Sequence, residues 1–267
     1  MDRLVRFADL LASRTRDGNI VSFDVTDDWQ QGRTTYGGLV AAIAACAIRD
    51  VLGPERALRG LQVNFIGTVP VGPAQVRVEV LRAGKSITQA QAIVTAQGET
   101  ATVASAVLGA ARPSSLGDFT LRRPETRPVE SLPDTPYMPE RMPVFMQHFT
   151  TRWAEGDPPF SGGAVSASRI WLALRDDPVP RELLTILFAD AMPPPVLSAA
   201  TGRVFGASLT WSIELLAASQ RGGSEGWWRA DTEATGNAEG FANQVSTIWT
   251  PQGEPAARSQ QLVAVYG

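Results

Sequence analysis

The chain has 267 residues, 44% of them hydrophobic, and a formal net charge of −3 at pH 7. That length holds one large domain or two modest ones with a substantial core. The charge excludes an electrostatic grip on nucleic acid or an anionic membrane surface, and no apolar run reaches the about 18 residues of a membrane span.

In chain order, the amino terminus MDRLVRFADLLASRT is amphipathic. It lacks the charged start and continuous apolar run of a secretory signal, so the expected compartment is the cytoplasm. Next comes a helix, GGLVAAIAACAIRDVL, which opens on Gly37-Gly38 and meets its first acid at Asp50. A surface helix carries a polar face. This one has almost none, so it is expected to be covered nearly all round by a curved sheet, its alanines letting the backbones lie close. The single cysteine, Cys46, allows no internal disulfide and is expected to be a buried packing residue rather than a nucleophile. The glycine pair has two readings. It can serve close packing, or it can leave helix-start amides free to face a carbonyl oxygen and stabilise a developing oxyanion.

Four strand candidates follow: LQVNFIGTV, AQVRVEVLRAG, SITQAQAIVTAQG and ETATVASAVLGAA. In the second, Val76, Val78 and Val80 alternate with Arg77 and Glu79, the pattern of a half-buried strand. Arg82 and Lys85 fall in its turn, where solvation is expected. From Arg112 to Pro143 the chain carries seven of its nineteen prolines and no apolar periodicity, which marks a linker.

Beyond the linker the order repeats. A strand candidate VFMQHFTTRW holds the lone histidine, His148. A helix candidate ELLTILFADAM leads to ASLTWSIELLA, EGWWRADTEATG, GFANQVSTIWTPQG and EPAARSQQLVAVYG. Gln97-Gly98 in one half answers Gln252-Gly253 in the other, each a turn between the last two strands. So long a repeat implies duplicated domains, with boundaries at 1–112, 113–143 (linker) and 144–267.

Asp190 lies among Leu187, Phe188, Ala189, Ala191 and Met192, where a carboxylate needs hydrogen bonds. It can bind amides freed by the break at prolines 193–195, or be a desolvated base with a raised pKa. Ser208 and Gln261, taken alone, read as ordinary strand residues. One His and one Cys leave no His/Cys metal centre. No G-x-S-x-G elbow supports a triad through His148, and neither G-x-G-x-x-G nor a P-loop supports a nucleotide cofactor. Trp211, Trp227, Trp228 and Trp249 are expected in the core or a subunit contact.

The run WQQGRTTYGGLVAA, then LQVNFIGTVPVGP, VRVEVLRAGKS and a Gln-Gly turn, resembles the acyl-CoA thioesterase II type of double hot-dog thioesterases over nearly the whole chain. The resemblance implies an α+β fold of two tandem curved antiparallel sheets, each wrapped round a central helix. It implies hydrolysis of acyl-CoA thioesters to free acid and CoA. The water would be held by an Asp near the second central helix, a hydroxyl on the following strand and an amide on the last. These fall on Asp190, Ser208 and Gln261, with Gln260 replacing Gln261 if the register shifts by one. Tyr36, Gly37 and Gly38 are the implied substrate-binding residues, acyl-CoA the partner, and no metal or cofactor is implied. Ala106 matches Gln261 in the first half, so one site per chain is expected. A hot-dog acyl-CoA-binding protein with little turnover is the alternative, which Asp190 facing solvent would favour. Exposed sheet edges and faces leave room for a homo-oligomer.

Overall fold

The computed structural model describes residues 4–165, 167–176, 178–202 and 204–267. The first half runs α1 (Phe7–Ala12), β1 (Thr15–Asp17), β2 (Ile20–Val25), β3 (Gln30–Gln31), β4 (Thr34–Thr35), α2 (Gly37–Leu52), β5 (Ala57–Phe65), β6 (Gly72–Ala83), β7 (Ile87–Ala96) and β8 (Glu99–Gly109). The second runs β9 (Phe149–Glu155), β10 (Ser168–Leu174), α3 (Arg181–Ala189), β11 (Phe205–Leu215), β12 (Trp228–Ala238), β13 (Phe241–Trp249) and β14 (Pro255–Tyr266). Each half is a curved antiparallel sheet with a central helix, a hot dog in tandem with its duplicate.

The halves do not stand apart. Their sheets join edge to edge through β5 and β11 into one sheet of order β1-β2-β6-β7-β8-β5-β11-β14-β13-β12-β10-β9. Reading outward from that seam, each half presents strands in the same relative order. The Gln97-Gly98 turn joins β7 to β8 with both residues at positive φ (50° and 83°), the twist that tight hairpins favour.

Helix α2 is buried without interruption from Gly38 to Ile48. It packs on strands of its own half and on α3, all nine residues of which are buried. Alanine and glycine leave room for this close approach, and dispersion across the contact does the rest. The helix stops at Gly53, whose φ of 81° and amide bond to the Arg49 carbonyl form its C-terminal cap.

Segment 113–143 holds one short helical turn, Val129–Ser131. Val129 and Leu132 bury themselves against Ala154 and Trp171, so the linker is docked along part of its length. The strand expected over VFMQHFTTRW begins late. Pro143 sets up a 3-10 turn over Val144–His148 before β9 starts at Phe149. His148 is therefore a core residue beside a turn, stacked on Trp29 at 3.7 Å with Nε2 3.1 Å from Asp28 Oδ2. Burial pulls the Asp28 pKa up, but hydrogen bonds with His148, Thr26 and the Val5 amide outweigh it and hold the group below its ordinary value. Trp211, Trp228 and Trp249 are buried, and Trp227 partly so. Among the described residues no helix is long and apolar enough to cross a membrane.

Candidate active site

Asp190 is the residue that caps the C-terminal end of α3. The helix ends there because prolines 193–195 cannot continue it, and the chain restarts as a 3-10 turn over Pro195–Ala199. The start of α2 meets the carboxylate from the other half. A methyl group placed on Gly37 would lie 2.8 Å from Asp190 Oδ2 and 3.2 Å from the Phe65 ring, so only glycine permits this approach. A methyl on Gly38 would collide with the Tyr36 ring.

Tyr36 occupies the position before α2 and is fully buried. It stacks on Phe145 at 3.9 Å, and its hydroxyl donates to the Leu187 carbonyl, three residues before Asp190. One side chain thus pins the end of α3 to the start of α2. Burial pushes its phenol pKa well up, and the Asp190 charge adds to that, so the hydroxyl stays protonated and remains a donor.

Gln261, on β14, donates from Nε2 to Asp190 Oδ1 at 2.5 Å. It is 3% exposed and faces inward opposite Trp211, whereas Gln260 pairs with Ser212 and is exposed. Of the two glutamines it is Gln261 that bonds to Asp190. Its own carbonyl oxygen accepts from Gln244 Nε2 on β13. Gln244 went unnoticed in the sequence, although in FANQVSTIW it alternates in phase with Ala242, Ser246 and Ile248, all buried.

Desolvation raises the Asp190 pKa from 3.8 to about 7, against the opposing pull of hydrogen bonds from Gln261 and the Gly38 amide. Its own helix terminus is the negative end of a peptide dipole and adds no help to an anion, while the α2 start is a positive end. Asp190 keeps some exposure as a residue although its carboxyl group is enclosed. Among the described residues, no group of three or more His, Cys, Asp and Glu could hold a metal ion.

Ser208 lies on β11 opposite Val263, with an irregularity in register between Ser208 and Thr210. That bulge turns Ser208 to the face shared by Val263, Gln261 and Trp211. The structure bonds Asp190 to Gln261 and sets Ser208 at the next inward position, outside the bonded pair. Cys46 is buried, which pushes its thiol up to about 12.

The solved structures similar to this chain share its fold. A conserved protein of unknown function with hot dog fold from Alicyclobacillus acidocaldarius is 22% identical, with 97% of each chain covered and a TM-score of 0.84. An acyl-CoA thioesterase II from Mycobacterium marinum is 19% identical, with 97% of this chain and 98% of that one covered and a TM-score of 0.75. No curated protein matches the sequence. The family described as acyl-CoA thioesterase N-terminal domain matches residues 25–109, and that described as acyl-CoA thioesterase C-terminal domain matches residues 124–265. Together they cover both halves, and the chain belongs to the acyl-CoA thioesterase family.

Proposed function

We propose that the protein hydrolyses acyl-CoA thioesters to the free acid and CoA, with Asp190 as the base that activates water. The observation that carries this reading is an enclosed carboxylate held by an inward amide and a helix start, its pKa raised to about 7 by desolvation. A base of that strength accepts a proton and gives it back near neutral pH.

Asp190 takes a proton from water as the oxygen attacks the thioester carbonyl carbon. The carbon–sulfur bond then breaks, and the same proton passes from Asp190 to the departing thiolate. Gln261 and Ser208 hold the water on the inner face. As Asp190 becomes neutral, its hold on the Gly38 amide weakens while negative charge grows on the substrate oxygen. The Gly38 amide is thereby released to the oxyanion when it forms, with the Gly37 amide beside it at the same helix start. Tyr36 supports this arrangement through its hydrogen bond to the Leu187 carbonyl.

The test is thiol release from a panel of short-, medium- and long-chain acyl-CoAs across pH 5–9. The expected result is turnover whose kcat/KM rises with pH through about 7, and a loss of about 10²–10⁴-fold in Asp190→Asn. Binding without thiol release at any chain length would sink the reading and favour an acyl-CoA-binding protein.

A further inference from the structure

Gln244 faces Gln261 directly across β13 and β14, and both are buried. The hydrogen bonds run in one direction, from Gln244 Nε2 to Gln261 Oε1 and from Gln261 Nε2 to Asp190 Oδ1. An ionised carboxylate can only accept. Gln261 must therefore turn its NH2 toward Asp190, which leaves its carbonyl oxygen in need of a donor on the far side. Gln244 is that donor. Its own Oε1 is left buried with no partner, although buried acceptors are normally bonded. Rotating Gln244 by half a turn would set two carbonyl oxygens against each other, so its unsatisfied oxygen is the consequence of keeping Gln261 aligned.

The other half shows what the fold alone requires at these positions. Ala106 and Ala90 face each other there, buried and apolar. The glutamine pair occurs on the half that carries the carboxylate.

We propose that Gln244 is a positioning residue: it locks the rotation of the Gln261 carboxamide so that NH2, and not C=O, meets Asp190. This deepens the thioesterase reading and rests on it. Without Gln244, the Gln261 amide rotates freely between two orientations. In the reversed one its carbonyl oxygen accepts an O–H from a protonated Asp190, and the base is withdrawn. The groups set against Asp190 are the Gln261 amide of β14, the Gly38 amide of α2 and the Tyr36 phenol before it, with the neutral Gln244 amide of β13 behind Gln261 and Phe65 of β5 beside Gly37. Tyr36 stays protonated throughout the relevant range, so a shift in this range reports on Asp190.

The experiment uses the full chain with Gln244→Met, which keeps the volume without the donor, Gln244→Asn, which retracts the amide, and Gln244→Glu, which reverses the polarity. Two readouts are taken: the Asp190 carboxyl titration by carbon-13 NMR, identified by its loss in Asp190→Asn, and the pH profile of acyl-CoA hydrolysis. The titration midpoint and the acid limb of kcat/KM are expected to rise together by about one pH unit in Gln244→Met, and further in Gln244→Glu. At pH 7, kcat should fall about tenfold with KM little changed. A midpoint that stays put in every folded variant, whatever happens to melting temperature, overturns the proposal. Full thiol release by Asp190→Asn would instead overturn the thioesterase reading, while the NMR midpoint would still decide the role of Gln244.

Discussion

Two buried rows of three residues lie at matching places in the two halves and differ in kind. Across β5, β8 and β7 the row is Leu61, Ala106 and Ala90, and across β11, β14 and β13 it is Trp211, Gln261 and Gln244. The first row shows that the sheet and its helix close without polar groups at these positions. Burying two amides costs free energy unless they are bonded, so their presence beside Asp190 calls for a reason other than folding.

The two ends of the helix pair repeat the contrast. Where α2 begins, a glycine pair meets a carboxylate that has no cation in ion-pair range among the described residues. Where α3 begins, charges are plentiful and paired. Arg49 lies 3.5 Å from Glu182, and Arg14 holds Asp50 through both of its oxygens. These residues line a cleft of about 360 Å³ with Cys46 and Arg181. One end neutralises its charges within the protein, and the other keeps one carboxyl unneutralised in a dry setting. The proposed chemistry rests on the second arrangement.

Three measurements would sharpen or break this contrast. The largest effect concerns stability. The Asp190 pKa is raised from 3.8 to about 7, so between these values the folded chain holds a proton that the unfolded chain has lost. Folding therefore gains from Asp190 at low pH and loses that gain as pH rises through about 7. Asp190→Asn should become progressively more stable than wild type from about pH 4 to 7, reaching on the order of 4 kcal/mol at most, then level off. Denaturant titrations at pH 4, 7 and 8.5 measure it, and a difference independent of pH would mean that the carboxyl is not desolvated.

Gly37→Ala comes next. Its methyl would stand 2.8 Å from Asp190 Oδ2 and push the carboxylate off its line. Displacement on that scale lowers turnover about 100-fold, with the fold retained by circular dichroism. Unchanged turnover would detach the helix start from the chemistry. The smallest effect is expected for Ala106→Gln, which imports one member of the polar row into the apolar half. With no carboxylate to meet, the new amide should cost about 2 kcal/mol and leave kcat of the folded fraction unchanged. A gain of activity would show that the first half holds a latent site.

Much of this architecture was legible in the sequence because it rests on pattern. The duplication showed in two matching Gln-Gly turns, and the burial of α2 showed in the absence of any polar face. Asp190 stood out because a carboxylate among Leu, Phe, Ala and Met must be held by something. Ser208 was harder for a physical reason. Strict alternation from Trp211 would turn it outward, and the bulge that turns it inward leaves no mark in residue type. Gln244 was legible by phase but not by chemistry, since the side chain it bonds to lies on another strand. His148 misled because the 3-10 turn set by Pro143 interrupts a run that reads as strand throughout.

The seam between β5 and β11 has a consequence for how such a site can arise. In a symmetric pair of separate subunits, every substitution appears at both ends of the assembly, so whatever favours catalysis at one must be tolerated at the other. Covalent fusion lifts that constraint. A lone acid, a tightly approached helix entrance and an unsatisfied amide need be accommodated once, while the twin end remains free to act as ballast.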